Sequence, residues 1–274
     1  MKNYSALLLT SSLLFAAVAP AIAQKSDIPA PPNILAVQRE MLKPGKSGSP
    51  HMKTESAFIK AFADAKMKTY YLGVDSLSGP SRALFFVGYD SYAEWGKDLD
   101  MMRKNASLAA AVDSAQINDG ELLSGFEQQV FALREDMSLN DHIDVGATRF
   151  WEIEMWKVKP GHDAEWSALV KLYTDNYAKV APNAQWATFQ SVYALDNGGV
   201  FAVFIPFKSM ADVDQSKIDD AKFGASLSAE DQKKMAELGS IIESSQSNLF
   251  AVNPKLSFPF PAWTKSDPSF WNAK

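Results

Sequence analysis

The chain has 274 residues, no cysteine, and 32 Asp and Glu against 27 Lys and Arg, a net charge of −5. Lacking cysteine, it has no disulfides, Cys-ligated zinc, iron–sulfur clusters, thiol catalysis or lipoprotein anchor. The mild acidic excess contains no basic runs, which argues against nucleic acid or an anionic membrane as partner, because phosphate binding needs clustered Lys and Arg.

The chain opens on Lys2, an apolar stretch from Ala6 to Val18, and small residues at Ala21 and Ala23. That pattern is a secretory signal, cut after Ala23, and it implies a periplasmic or secreted protein. The apolar stretch is shorter than the roughly 20 residues of a spanning helix, and nothing later in the chain is long and apolar enough to span a membrane. Seven Trp, eight Tyr and seventeen Phe supply ample apolar surface for a core without disulfides.

From residue 24 the chain repeats itself. Leu42-Lys43-Pro44-Gly45 matches Val158-Lys159-Pro160-Gly161, Ser91-Tyr92-Ala93-Glu94 matches Ser209-Met210-Ala211-Asp212, Ala106-Ser107-Leu108 matches Ala225-Ser226-Leu227, and Phe131-Ala132-Leu133 matches Phe250-Ala251-Val252. Four landmarks in one order, at a slowly drifting offset, indicate a duplication.

In the first copy, Ile34 to Leu42 reads as a strand, and Ala57, Phe58, Ala61, Phe62 and Ala65 lie on one helical face. Strands follow at Thr69 to Leu77 and Ala83 to Tyr89, joined by Ser78-Gly79-Pro80-Ser81. A helical region capped by Ser91 and Glu94 precedes a strand at Gln129 to Arg134. The second copy repeats this order. Its strands are Phe150 to Val158, Trp186 to Leu195, Val200 to Phe207 and Asn248 to Asn253, with a helical stripe through Trp166, Leu169, Val170, Tyr173, Tyr177 and Val180. Its hairpin is Asp196-Asn197-Gly198-Gly199.

The division expected is a signal peptide at 1–23, a first α+β module at 24–134, a linker at 135–147, a second module at 148–256 and a Pro- and aromatic-rich arm at 257–274. The arm is too rich in proline for helix or central strand and is expected to pack on the body.

The fold class is α+β, with two ferredoxin-like β-α-β-β-α-β modules. This order, the strand-ending Lys-Pro-Gly and the duplication resemble the dimeric α/β-barrel superfamily, including antibiotic-biosynthesis monooxygenase-like and NIPSNAP-like proteins. The resemblance implies that one chain supplies both halves of the barrel. The leader, the tandem modules and the closing Asp267-Pro268-Ser269-Phe270-Trp271 are also similar to secreted proteins of soil bacteria.

In such a barrel, helices cover the outer faces and the inner faces enclose a cavity, so strand alternation sorts the residues. Trp151, Ile153 and Met155 form the apolar face expected under helices, and Phe150, Glu152, Glu154, Trp156 and Val158 the face expected to line the cavity. The matching face of the first copy is Ile34, Ala36, Gln38, Glu40 and Leu42. Carboxylates among aromatics make Glu152, Glu154 and Glu40 the acid/base candidates, since desolvation raises a carboxyl pKa toward neutrality. Gln38, Phe150, Trp156 and Gln190 are the ligand-binding candidates. The alternative is that these Glu sit at a hydrated sheet end, paired with Arg39, Arg149 or Lys157.

His51 follows Gly48 in a loop, His142 is in the linker and His162 begins a helix, and none has a partner at an interval such as H-E-x-x-H. Surface histidines, no metal site and no cofactor are therefore expected. Nucleotide-binding and nucleophile-elbow motifs are missing. Three functions are weighed: binding of a small apolar or aromatic ligand in the barrel cavity, cofactor-independent oxygenase, isomerase or lyase chemistry on cavity carboxylates, or, as the resemblance to a superfamily with haem-binding members implies, haem handling through His162. Association into homo-oligomers through strand edges or the arm stays open.

Overall fold

The computed structural model describes residues 28–195 and 199–272. The signal sequence expected at 1–23 and residues 196–198 of the expected second hairpin lie outside the described residues. The first half runs β1 (Ile34–Leu42), α1 (Ser49–Asp64), β2 (Tyr71–Ser76), β3 (Arg82–Tyr89), α2 (Tyr92–Lys104), α3 (Ala106–Gly120) and β4 (Leu123–Leu133). The second runs β5 (Phe150–Val158), α4 (Asp163–Val180), β6 (Ala187–Tyr193), β7 (Val200–Phe207), α5 (Met210–Ser226), α6 (Ala229–Ala236), α7 (Leu238–Ile241) and β8 (Ile242–Val252). This is the expected order twice over, with the second helical region broken into pieces.

Local chemistry explains the shared breakpoints. Gly45 and Gly161 both adopt positive φ, 75° and 85°, which only glycine takes without cost, so each Lys-Pro-Gly turns the chain from first strand to first helix. Ser91 accepts a hydrogen bond from the Glu94 amide to open α2, and Ser209 and Asp212 form a full capping box at α5. The closing strands extend further back than their sequence suggests. The first half of β8 is polar and weakly strand-forming, but its pairing with β5 holds it extended, from Phe150↔Ala251 to Lys157↔Ser244.

The eight strands close into a barrel in the order β1-β3-β2-β8-β5-β7-β6-β4. Each half contributes a sheet in the order fourth, first, third, second strand. The seams are β2 with β8, where Val74 faces Val252, and β4 with β6, where Phe131 faces Ser191. Closure leaves neither sheet with a free edge.

The interior is solid. Every strand contributes to one buried apolar cluster, including Leu35, Val74, Phe131, Trp151, Phe204 and Phe250. An eight-stranded barrel is just wide enough for its own side chains to fill. The expected facing is therefore inverted. Trp151 and Ile153 point into the barrel, while Trp156 and Val158 meet helix residues such as Trp166 and Leu169 on the outside. The wholly apolar face goes where water cannot follow, and the mixed face lies under helices whose cover is incomplete.

The arm corrects a second expectation. It forms two short helices, α8 (Pro261–Ser266) and α9 (Pro268–Trp271), each beginning with proline, whose missing N–H is spare in the first helical turn. Trp263, Phe270 and Trp271 join the interior cluster together with Ile143 and Val145. Arg149 anchors them, pairing with Asp267 and lying 3.8 Å from the Phe270 ring centre. Just before α8, Leu256 is fully buried over Gly73, where an added Cβ would sit 2.6 Å from the Leu256 Cβ. Among the described residues, no helix is long and apolar enough to cross a membrane.

Candidate functional site

With the barrel filled, two open spaces stand between its outer face and the helices. The larger, about 860 Å³, is in the second half, between β5, β6 and β7 on one side and α4 and α5 on the other. Its walls are aromatic, with Trp156, Trp166, Tyr173, Tyr177, Trp186 and Phe223 among them. Glu152 and Glu154 project from β5 into this space. They alternate with Trp151 and Ile153 along the strand, so the barrel core fixes their direction.

The two carboxylates have different partners. Glu152 accepts from Ser247 Oγ at 2.6 Å and pairs with Lys217 Nζ of α5 at 3.2 Å. Glu154 accepts from the Trp156 indole at 2.9 Å. Burial pushes the Glu154 carboxyl above its usual range against that hydrogen bond, and neighbouring Glu152 adds to the rise. A carboxyl whose pKa is raised by burial is better placed to donate a hydrogen bond or exchange a proton with a bound molecule. Across the cavity Tyr177 Oη donates to Asp220 at 2.9 Å, and burial raises the Tyr173 hydroxyl well above the ordinary tyrosine range.

The shifted Glu154 predicts a pH-dependent substitution effect. A carboxyl whose folded pKa lies above the unfolded value of 4.5 costs nothing below that value, and costs more as pH rises through the folded one. Glu154→Gln is therefore expected to raise the melting temperature at about pH 8 and leave it unchanged at about pH 4. Thermal melts of the two proteins at both pH values check this. A gain that is equal at both, or larger in acid, would show that Glu154 is not desolvated.

The remaining sequence candidates fall elsewhere. Phe150 is on the outer face of β5 but does not line the cavity, and Gln190 accepts from Arg134 at 2.7 Å on the outer face of β6. Gln38 and Glu40 are in the first half, so Glu40 does not share a site with Glu152 and Glu154. Gln38 donates to Glu40 Oε1 at 2.7 Å and lines a second space of about 410 Å³ beneath α1 and α3.

Glu40 stands in a buried polar cluster that the sequence expectations miss. His51 is not on the surface; it lies in α1, is 1% exposed, and its Nε2 is 2.9 Å from Glu40 Oε2. Glu55 Oε1 and Asp119 Oδ1 are 3.8 Å and 3.7 Å from the same nitrogen. Burial drives the Glu55 carboxyl up to about 9, with Glu40 and then Asp119 adding to the rise. The available signal was His51 and Glu55 four residues apart, on one helical face. His162 stands just before α4, 3.4 Å from Glu165, and does not line the larger cavity. His142 is exposed, 3.2 Å from the Ile28 carbonyl.

No family model matches the chain, and no curated protein matches it in sequence. Solved structures do match. A candidate monooxygenase of Fusobacterium nucleatum subsp. nucleatum aligns with a TM-score of 0.53 at 13% identity, over 81% of this chain and 93% of that one. An anthrone oxidase-like protein aligns with a TM-score of 0.50 at 13% identity, over 80% and 91%. At such identities the likeness is one of fold. The chain has the dimeric α/β-barrel fold, with both halves of the barrel drawn from one polypeptide.

Proposed function

We propose that the chain binds a small aromatic molecule bearing a hydrogen-bonding or cationic group in the second-half cavity. The observation that carries this reading is a space of about 860 Å³ with aromatic walls and two carboxylates set into its sheet side. Ligand pockets are typically about 300–1,000 Å³, mostly apolar, with few converging polar groups. Glu154 supplies a carboxyl that can donate or accept, and Glu152, tied to Lys217 and Ser247, supplies a fixed acceptor beside it. The ligand site is then outside the barrel wall, because the barrel interior is filled.

The probe N-phenyl-1-naphthylamine tests this. Its fluorescence should rise and saturate at one probe per chain, and Val203→Trp, which fills the sheet side of the cavity, should weaken binding at least about tenfold. Saturable binding untouched by Val203→Trp, or no saturable binding by folded wild type, would contradict the proposal.

A second reading rests on the raised Glu154 carboxyl. In it, the same cavity carries out cofactor-independent oxygenase, isomerase or lyase chemistry, with Glu154 exchanging a proton with the bound aromatic. Two proteins of this fold, the candidate monooxygenase and the anthrone oxidase-like protein, support it by analogy of fold. Haem handling through His162 has less support, since that side chain faces Glu165 outside the cavity lining. Export rests on the leader sequence, outside the described residues.

A further inference from the structure

We propose that Glu40, His51, Glu55 and Asp119 bind one divalent first-row transition cation. This site is separate from the second-half cavity and independent of the function proposed there. Its members converge from three elements: Glu40 from the outer face of β1, His51 and Glu55 from α1, and Asp119 from the end of α3. All four are at most 3% exposed. One ligand atom from each lies within 4.8 Å of every other. Ligands about 2.1–2.5 Å from one ion sit roughly 3 Å apart when adjacent and 4–5 Å when opposite. Three carboxylates with one imidazole form a hard, mostly oxygen set that suits Mn²⁺ or a neighbouring ion.

Hydrogen bonding within the cluster is incomplete. His51 Nε2 faces three carboxylate oxygens and can carry only one proton, which the 2.9 Å contact directs to Glu40. Thr54 Oγ1 donates to Asp119 Oδ1 at 2.6 Å and Gln38 to the other oxygen of Glu40, as outer-shell groups do around metal ligands. Glu55 Oε1 has no hydrogen-bond partner at all. Nor does the hydroxyl of Tyr71, a 7% exposed residue outside the cluster whose ring, like that of His51, packs edge-on against Phe85. Glu55 and Tyr71 both line the space of about 410 Å³, which gives an ion a route in and leaves room for a further ligand on it.

The duplication supplies an internal control. Trp156 occupies in β5 the place of Glu40 in β1, and Leu238 stands where Asp119 does ahead of the paired Gly120 and Gly239. There Trp156 packs on Trp166 at 5.7 Å and joins an apolar cluster with Leu169, Leu238 and Ile241. The fold is thus satisfied by hydrophobic packing at this position. Burying three carboxylates there instead is costly unless protons or a bound cation offset their charge, and the packing of the second copy shows that the fold does not require it.

The full chain, stripped with chelator and dialysed, is titrated with Mn²⁺ at about pH 8, where proton competition is reduced. Binding should saturate at one ion per chain, and pulsed electron paramagnetic resonance should show coupling to one imidazole nitrogen. Glu55→Gln should weaken binding at least about tenfold, while Glu152→Gln, in the other carboxylate-bearing cavity, should keep it. Circular dichroism verifies that the variants fold; should Glu55→Gln not fold, the nitrogen coupling in wild type decides. A folded wild type without stoichiometric binding, an ion without nitrogen coupling, or binding unchanged in folded Glu55→Gln would reduce the cluster to a proton-sharing network and overturn the proposal.

Discussion

Phe204→Ala is expected to cost about 3–5 kcal/mol of folding stability, the range for removing a fully packed aromatic. Phe204 stands on the inner face of β7 and makes edge contacts with Phe86, Trp151 and Phe189, at 5.4, 6.3 and 5.6 Å between ring centres. These rings come from both halves of the chain, so the loss strikes the core that joins the modules. Ala202 and Ala187, its small neighbours in the cluster, cannot move in to fill the gap. Chemical denaturation measures the change. A cost under about 1 kcal/mol would mean that the ring lines a void, contrary to a filled barrel.

Trp271→Ala is expected to cost a similar amount, about 3–5 kcal/mol, although only three residues follow it in the sequence. Its indole is 5% exposed, packs on Trp263 and Phe270, and donates to the Gly146 carbonyl at 3.0 Å. Removing it opens one end of the interior cluster and strips a hydrogen bond from a buried carbonyl. Trp271→Phe should recover most of the packing and fall between the two. If Trp271→Ala melts like wild type, the arm does not seal the barrel.

The order of elements was legible in the sequence because it rests on local signals. Lys-Pro-Gly, the Ser91 and Ser209 caps and strand alternation each act over a few residues, and the duplication states them twice. The direction in which a strand faces is not a local property. Alternation separates Trp151 and Ile153 from Glu152 and Glu154, but only the width of the closed barrel decides which set goes inside. The proline-rich arm was misjudged for a related reason. Proline breaks a helix in its interior, but Pro261 and Pro268 each start one.

The candidate site divides the same way. Glu152, Glu154 and Trp156 were visible as carboxylates beside an aromatic on one strand face, and they do share a cavity. Glu40 was found for the same reason, but its partners were hidden. His51, Glu55 and Asp119 reach it only through the packing of α1 and α3 on β1, and Asp119 is 79 residues away along the chain. The His51–Glu55 spacing alone, in a helix not yet placed on the sheet, is too common to select.

That ligand chemistry lies outside the barrel wall is tested most directly by a crystal structure of the chain with N-phenyl-1-naphthylamine bound. The expected density lies between the outer face of β5 and β7 and the helices α4 and α5, against Trp156 and Tyr173 and within reach of Glu154. Density on the barrel axis beside Phe204 and Trp151 would contradict it.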